Sequence, residues 1–303
     1  MIFKKNVSIK DYLVLVRLPN LFTLPSNILV GMAVISSWAF TLTSFTQFLL
    51  LVTISVIFYC AGIVLNDLYD IDIDKKDRPN RPLPSGRISK RSAIFLVAIL
   101  STLALILSLL VSFSTLVISS ILFLVIIGYN KYLKNTRAGP ITIASARVMN
   151  ILLGASIGLT SIDSYSQIAT LTLVLTITFV YVSLIGFVSR YEVRGFSDNT
   201  KLLLPPAIIA TIISSILLFS LMGFFKLESL IPLALFSFIM IVSIIRIRTR
   251  DSRRTQQIVQ NMIVSIIVLD SIFLTGIIGI ELGLAILTLM APLLALANKM
   301  YMT

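Results

Sequence analysis

The chain has 303 residues, of which 57% are hydrophobic and only 13% are charged, about half the usual charged share. A mean hydropathy of +1.01 excludes a water-soluble fold, and the wealth of aliphatic residues excludes a disordered chain. The sequence has no histidine, which excludes Ser-His triads and His-ligated metals. A single cysteine, Cys60, excludes an intrachain disulfide. The apolar runs are continuous rather than alternating, so an all-α polytopic transmembrane helical bundle is predicted and a β-barrel is not.

Apolar stretches of about 20 residues, the length that crosses a bilayer, recur along the chain. The predicted spans are 22–41, 46–65, 92–112, 115–130, 139–160, 168–188, 202–223, 229–246, 259–280 and 283–298. Residues 1–20 are basic and amphipathic, which predicts an interfacial segment. We expect residues 1–303 to form a single transmembrane domain. Little separates the last two spans, so they form either a tight hairpin, giving ten spans, or one long helix, giving nine.

Positive charge orients these spans. With the N-terminus in the cytoplasm, 24 of the 25 lysines and arginines fall on the cytoplasmic side, and only Lys226 falls outside. This distribution is typical of the positive-inside rule. It predicts a multi-pass protein of the cell membrane, with its N-terminus cytoplasmic. The net charge of +12 then indicates attraction to an anionic leaflet, not to nucleic acid.

Acidic residues concentrate directly after the second span. Five of the thirteen lie in eleven positions; they are Asp67, Asp70, Asp72, Asp74 and Asp77. If the helix continues past the bilayer edge, Asp67, Asp70 and Asp74 lie within about 60° of one another on one face. Carboxylates stacked in this way repel one another. We therefore expect a cation to neutralise them.

An all-oxygen set of ligands favours a hard ion, and Mg²⁺ is the expected cofactor. Mg²⁺ is usually held by a few carboxylates together with substrate phosphate oxygens. Asn66 can add an amide oxygen or orient an aspartate. The alternative is a solvated acidic loop whose charge is balanced by the nearby lysines.

The following loop carries three prolines within six residues, Pro79, Pro82 and Pro84, which end the helix and stiffen the chain. Arg78, Arg81 and Arg87 are then displayed on a semi-rigid track. Guanidinium groups suit phosphate oxygens. Carboxylate-bound Mg²⁺ beside fixed arginines indicates a site for a diphosphate leaving group.

The pattern NDxxDxxxD from Asn66 to Asp74, followed by DRxxRPxPSGR from Asp77 to Arg87, resembles the first aspartate-rich motif of the UbiA superfamily of intramembrane prenyltransferases. The segment YNxYLK, residues 129–134, is similar to the loop that the family has after span four. The helical layout also resembles the family over nearly the whole chain.

The resemblance implies a UbiA-like fold and the transfer of a prenyl group from an isoprenyl diphosphate, bound through Mg²⁺, to a lipid-like or aromatic acceptor in the membrane. Departure of the diphosphate leaves an allylic carbocation in an apolar tunnel. By position, Asp67, Asp70 and Asp74 are the metal ligands and catalytic residues, and Asn66 supports them. The implied diphosphate contacts are Arg78, Arg81 and Lys134.

The second family motif departs from its pattern. The loop after span six usually carries two acids four residues apart. Here Glu192 can stand for the first acid, as a metal ligand and catalytic residue, but Phe196 occupies the second position and Asp198 follows two residues later. Arg190, Arg194 and Asp198 are also predicted to contact the substrate. The residue pattern around Arg190 and Arg194 resembles that of a UbiA-like branch found in ebo-type gene clusters. The second metal site is therefore predicted to be remodelled.

Arg147 and Asn150 lie three residues apart in span five and share a face. An arginine inside a span costs about 2.5–3.5 kcal/mol on insertion scales, so it should face an interior cavity and a partner, for which Asp270 is a candidate. We expect Arg147 and Asn150 to line the acceptor or headgroup pocket. The alternative is a snorkelling Arg147.

Two further functions are open. A CDP-alcohol phosphotransferase also uses spaced aspartates at a membrane surface, although Asp70-Ile71-Asp72 does not fit its pattern. A non-catalytic prenyl-diphosphate or lipid binding protein, or a transporter, is the alternative that the altered Glu192 loop supports. The expected partners are the isoprenyl diphosphate, a hydrophobic acceptor and the bilayer, with no required protein partner.

Overall fold

The computed structural model of the chain describes residues 15, 18–35, 41–191, 199–247 and 252–297. Within these ranges the chain is helical and has no strand. In chain order the helices are α1 (Leu24–Ile35), α2 (Leu42–Tyr69), α3 (Ile71–Asp77), α4 (Lys90–Val111), α5 (Phe113–Gly128), α6 (Gly139–Ala155), α7 (Tyr165–Ser189), α8 (Asn199–Leu221), α9 (Leu230–Ile247), α10 (Ser252–Ile277), α11 (Ile280–Ala285) and α12 (Met290–Ala297).

Apolar helices occupy all the predicted span positions. Seven helical stretches are long and apolar enough to cross a membrane, and three shorter apolar helices cover Leu21–Ile35, Gly139–Ala155 and Ile280–Ala295. The transmembrane bundle is therefore confirmed as the fold class. The three short helices fall below the roughly 20 residues of a straight crossing, so the number of full crossings stays a prediction.

Local side-chain chemistry sets several of the helix starts. Thr41 and Ser164 each accept a hydrogen bond from the backbone of the third helical residue, whose side chain bonds back to the cap. Ser89 and Ser112 cap α4 and α5 in the simpler way. Such caps satisfy backbone N–H groups that the helix leaves unpaired.

The last two predicted spans form a hairpin, and the alternative of one long helix is wrong. Helix α10 ends at Ile277, and Gly279 takes a φ of 147° that favours glycine. The chain then folds back, so that Ser271 donates a hydrogen bond to the carbonyl oxygen of Gly283 at 2.6 Å.

Helix α10 lies at the centre of the bundle, since 83% of its apolar window is buried, against 44% or less in the other long helices. Helices α1 and α6 pack against each other. They approach closely at two glycines, Gly31 and Gly154, where any Cβ would collide with the backbone of the partner helix. Small residues of this kind let membrane helices come into backbone contact.

The predicted interfacial segment 1–20 lies mostly outside the described residues. Leu15 is buried and packs with Val64, Ile71 and Leu83. This contact ties the start of the chain to the end of α2 and to the proline-rich loop.

Candidate active site

The three aspartates predicted to share a helix face do so. Asp70 ends α2 and begins α3, with φ −88° and ψ 2°. Its N–H donates to the Asn66 carbonyl, and the Asp74 N–H donates to the Asp70 carbonyl, so the helical register continues through the junction. Asp67 and Asp74 are only 3% and 5% exposed, which excludes the solvated acidic loop.

The remaining acids of the segment point elsewhere. The Asp72 side chain is 83% exposed and pairs with Lys75 at 3.1 Å. The hydrogen bond from Lys75 holds the pKa of the Asp72 carboxyl below its usual range. Asp77, at the end of α3, is exposed as well. Asp72 therefore offers a natural control for experiments on the shared face.

Arg81 connects two of the three carboxylates. Its Nη1 donates to Asp74 Oδ2 at 2.8 Å and lies 3.5 Å from Asp67 Oδ1. The next two residues in the proline-rich loop, Pro82 and Leu83, are buried and anchor it. The loop is thereby folded back over the helix junction, and the guanidinium lies against the acids instead of in solvent.

The other two arginines of the loop have different surroundings. Arg78 is exposed. Arg87 donates to the Asn80 carbonyl and, from Nε, to the Ser85 hydroxyl at 3.1 Å. Of the three arginines predicted to line one track, Arg81 therefore contacts Asp67 and Asp74, whereas Arg87 bonds to its own loop.

Lys134 reaches the third carboxylate from a distant part of the chain. The helix after α5 widens into one π-helical turn, Tyr129–Leu133, and Lys134 follows it directly. Its Nζ donates to Asn66 Oδ1 at 2.6 Å and to Asp70 Oδ2. The two motifs that carry the family resemblance are thus in direct contact, 64 or more residues apart in sequence.

The donor set suits Mg²⁺, because carboxylate and amide oxygens are its preferred protein ligands. Asp67 and Asp74 both reach one nitrogen of Arg81, so both can reach a common cation. Asp70 and Asn66 share a second cation, the Lys134 ammonium. Within the described ranges no three acidic or cysteine side chains converge on one point. The arrangement therefore fits an ion held by few protein oxygens and completed by substrate, as Mg²⁺ commonly is.

A cavity of about 530 Å³ opens beside this cluster. Asn66 and Lys134, which contact the aspartates, line it, and Arg190 adds a further basic group to the lining. Its apolar walls come from α2, α5, α6, α7 and α10, and include Phe58, Ile63, Leu122, Ile126, Ile143, Ile185, Val259 and Ile266. A basic, polar part of the wall beside an apolar interior suits a ligand with an anionic head group and a hydrocarbon tail.

Arg147 lines the cavity, as predicted, but its direct partner is not Asp270. Its guanidinium donates to Asn27 Oδ1 at 2.8 Å and to Thr23 Oγ1 at 3.0 Å. Asn27 Nδ2 donates in turn to Asp270 Oδ2 at 2.7 Å, which also accepts from Ser26 at 2.6 Å. One asparagine thus bridges the half-buried Arg147 and the buried Asp270 on different helices, and the snorkelling alternative is wrong.

Two asparagines of the cavity wall keep unused hydrogen-bonding groups. Asn150 Oδ1 accepts from Ser55, and Asn130 Nδ2 donates to the carbonyls of Ile126 and Gly62. The Nδ2 of Asn150 and the Oδ1 of Asn130 have no partner in the described part of the chain. Asn150 was predicted at this wall. The sequence marked Asn130 only through its place in the 129–134 segment.

The second motif is only partly placed. Arg190 lines the cavity and donates from Nη2 to the Thr136 carbonyl. Glu192, Arg194 and Asp198, predicted as site residues, lie outside the described residues. Their roles stay predictions.

Comparison with known proteins identifies the family. The model of the UbiA prenyltransferase family matches residues 24–267. A digeranylgeranylglyceryl phosphate synthase of Sulfurisphaera tokodaii is 31% identical over 63% of this chain and 65% of its own length. The synthase of the same name from Saccharolobus solfataricus is 34% identical over 49% of this chain. That match covers 52% of the Saccharolobus protein, so the similar segments span about half to two thirds of these relatives.

Solved structures share the fold. One from a study of digeranylgeranylglyceryl phosphate synthase in membranes superposes with a TM-score of 0.67 at 22% identity, covering 89% of this chain and 98% of its own. A UbiA homologue from Archaeoglobus fulgidus, bound to GPP and Mg²⁺, gives 0.60 at 17% identity, covering 92% and 99%. The family match rules out the CDP-alcohol phosphotransferase alternative. The chain is a multi-pass membrane protein and belongs to the UbiA prenyltransferase family.

Proposed function

We propose that the protein transfers a prenyl group from an isoprenyl diphosphate to a hydrophobic acceptor within the membrane, in a Mg²⁺-dependent reaction. The observation that carries this proposal is the stack of Asp67, Asp70 and Asp74, paired with Arg81 and Lys134, next to an apolar cavity that Asn66 and Lys134 line. Family membership and the binding of GPP and Mg²⁺ by the Archaeoglobus fulgidus homologue support it.

Each acidic and basic residue of the site has a proposed role. Asp67 and Asp74 can reach one common Mg²⁺ ion, and Asp70 and Glu192, which lies outside the described residues, would join them when the ion and the substrate bind. When bound, the ion neutralises charge that builds on the diphosphate as it leaves. Arg81 and Lys134, which contact these carboxylates, would donate hydrogen bonds to the diphosphate oxygens.

The cavity provides the conditions for the transfer step. The bond between the allylic carbon and the diphosphate oxygen breaks, and both electrons leave with the diphosphate. The apolar walls keep water away from the allylic cation until the acceptor forms the new bond and releases a proton. Aromatic rings such as Phe58, which lines the cavity, can stabilise positive charge through their π faces.

The acceptor side is proposed at Arg147 and Asn150. Both line the cavity, and the Asn150 Nδ2 lacks a partner. The name of the two archaeal relatives makes prenylated glyceryl phosphates the first acceptors to test. If the assignment is right, Arg147→Ala at matched expression raises the KM for the acceptor more than the KM for the donor. Equal activity of Arg147→Ala and the unaltered protein would remove Arg147 from the site.

The decisive assay follows label from a polyprenyl diphosphate into acceptors, with and without Mg²⁺. Asp67→Asn and Asp70→Asn should abolish turnover, because each removes a charge from the metal-binding face. Asp72→Asn is the matched control, since it removes an equal charge from an exposed position of the same segment and should leave turnover intact. Undiminished turnover in both Asp67→Asn and Asp70→Asn would refute the proposed mechanism.

A second candidate is a binding or transport protein that keeps the diphosphate site without turnover. Phe196 at the usual position of the second acid favours it. Metal-dependent binding of prenyl diphosphate without any product, over the full acceptor panel, would select this candidate.

We also propose that the N-terminus and the aspartate face lie on the cytoplasmic side, because the basic residues concentrate there. The single native cysteine makes this testable. In a Cys60→Ser background, a Lys76→Cys variant should react with a membrane-impermeant thiol reagent only after the cytoplasmic side is exposed. Labelling of Lys76→Cys in intact cells would show that the topology is the reverse of the proposed one.

A further inference from the structure

Each carboxylate of the shared face is already paired with a cation from the chain. Arg81 Nη1 lies 2.8 Å from Asp74 Oδ2 and 3.5 Å from Asp67 Oδ1. Lys134 Nζ contacts Asp70 Oδ2 and lies 2.6 Å from Asn66 Oδ1. The Arg81 and Lys134 side chains are 18% and 26% exposed, and the Asp67 and Asp74 side chains 4% and 7%. These are partly desolvated ion pairs, not solvent-screened ones.

The pairing has two consequences for a divalent ion. Buried carboxylates without a partner are strongly unfavourable, so Arg81 and Lys134 stabilise the site in the absence of metal. The same nitrogens stand close to the oxygens that Mg²⁺ would approach to about 2.0–2.1 Å. Metal on its own must therefore displace these cations or tolerate their repulsion.

The contacts also show where the displaced cations can go. Lys134 lines the cavity mouth, and Arg81 lies on the same aspartate face. A diphosphate arriving with Mg²⁺ brings oxygens that can accept the hydrogen bonds that the carboxylates give up.

We propose that Arg81 and Lys134 are exchangeable counter-ions: they neutralise the aspartates in the metal-free protein and transfer to the diphosphate when it binds with Mg²⁺. This inference rests on the proposed function, since it assumes that the aspartates hold Mg²⁺. It makes the binding of Mg²⁺ and of diphosphate mutually dependent, a positive coupling between two ligands. Mg²⁺ alone binds weakly, and the two together bind tightly.

The test measures two affinities by titration calorimetry in detergent, for Mg²⁺ alone and for inorganic pyrophosphate in the presence of Mg²⁺. Arg81→Gln should raise the affinity for Mg²⁺ alone by about tenfold or more, because a repelling charge near the carboxylates is gone. The same variant should lower the affinity for Mg²⁺-pyrophosphate by about tenfold, because a charged donor is lost. Lys134→Gln should behave in the same way.

Two controls separate this role from others. Lys76→Gln removes a positive charge from an exposed position of α3 and should change both affinities by no more than about twofold, since solvent screens that charge. Arg81→Lys keeps the charge and should restore weak binding of Mg²⁺ alone. In metal-free buffer Arg81→Gln should also unfold at a lower temperature, with a larger upward shift on adding Mg²⁺ than the unaltered protein shows.

The proposal predicts opposite changes in the two affinities. If Arg81→Gln and Lys134→Gln lower both affinities, the two residues are scaffolding only, and the exchange does not occur. If both affinities are unchanged, they do not face the ligands at all. If Arg81→Gln does not fold, Arg81→Lys and Lys134→Gln still provide the comparison. These measurements need no prenyl transfer, so a failure here is distinct from the turnover loss that tests the proposed function.

Discussion

Replacing Gly154 with alanine tests whether the close contact of α1 and α6 holds the site together. A Cβ at Gly154 would lie 2.1 Å from the Ile28 carbonyl oxygen, and a Cβ at Gly31 would lie 2.0 Å from the Ile151 carbonyl oxygen. Ordinary contact begins near 3.4 Å. The colliding atoms belong to the backbone, so no side-chain rotation relieves the clash, and the helices must part by about 1 Å.

The separation has a calculable effect. Overpacking of this kind costs about 1–3 kcal/mol. Asn27 is next to Ile28, so its 2.8 Å bond from Arg147 would also lengthen beyond hydrogen-bond range. Losing a hydrogen bond to a charged group adds about 1.5–3 kcal/mol. Gly154→Ala should therefore destabilise the protein by at least about 2 kcal/mol, seen as a drop of several degrees in apparent Tm.

The assay is thermal unfolding in detergent, followed by far-ultraviolet circular dichroism. Gly128→Ala is the matched control, because nothing lies within 4 Å of a Cβ there and its backbone is helical. Alanine is favoured over glycine in a helix by about 1 kcal/mol, so this variant should keep or raise the Tm. An unchanged Tm in Gly154→Ala would refute the close approach and the position of Asn27 that depends on it.

Two more substitutions test the buried polar contacts. Asn27→Leu removes one hydrogen bond from Arg147 and one to Asp270, whereas Thr23 and Ser26 still bond to these charges. Each lost bond to a charged group costs about 1.5–3 kcal/mol, so we expect a lower Tm in the same thermal assay; an unchanged Tm would show that the bridge contributes nothing. Tyr181→Phe deletes a hydroxyl that donates to the Met262 carbonyl at 3.0 Å. It should cost about 1 kcal/mol, and a stability equal to that of the unaltered protein would show that this bond is not maintained.

Features that depend on local periodicity could be predicted from the sequence. The spans followed from runs of apolar residues, and the shared face of Asp67, Asp70 and Asp74 followed from the helical repeat. The helical membrane bundle and the shared face are confirmed, because a helix that leaves the bilayer keeps its own geometry, whereas the number of full crossings stays a prediction. The role of Lys134 was predicted only through the resemblance of its segment to the family.

Contacts between distant segments could not be predicted in this way. Nothing in the spacing of the proline-rich loop distinguished Arg81 from Arg78 or Arg87, since the choice depends on how the buried Pro82 and Leu83 fold the loop back.

The sequence by itself determined a helical membrane protein with a carboxylate face at the end of its second span, because hydropathy and helical repeat are properties of neighbouring residues. The tertiary structure alone decided which cations meet those carboxylates and that Asn27 stands between Arg147 and Asp270. Asn27 and Asp270 are 243 residues apart. The packing of α1, α6 and α10 brings them together, and no local pattern records that packing.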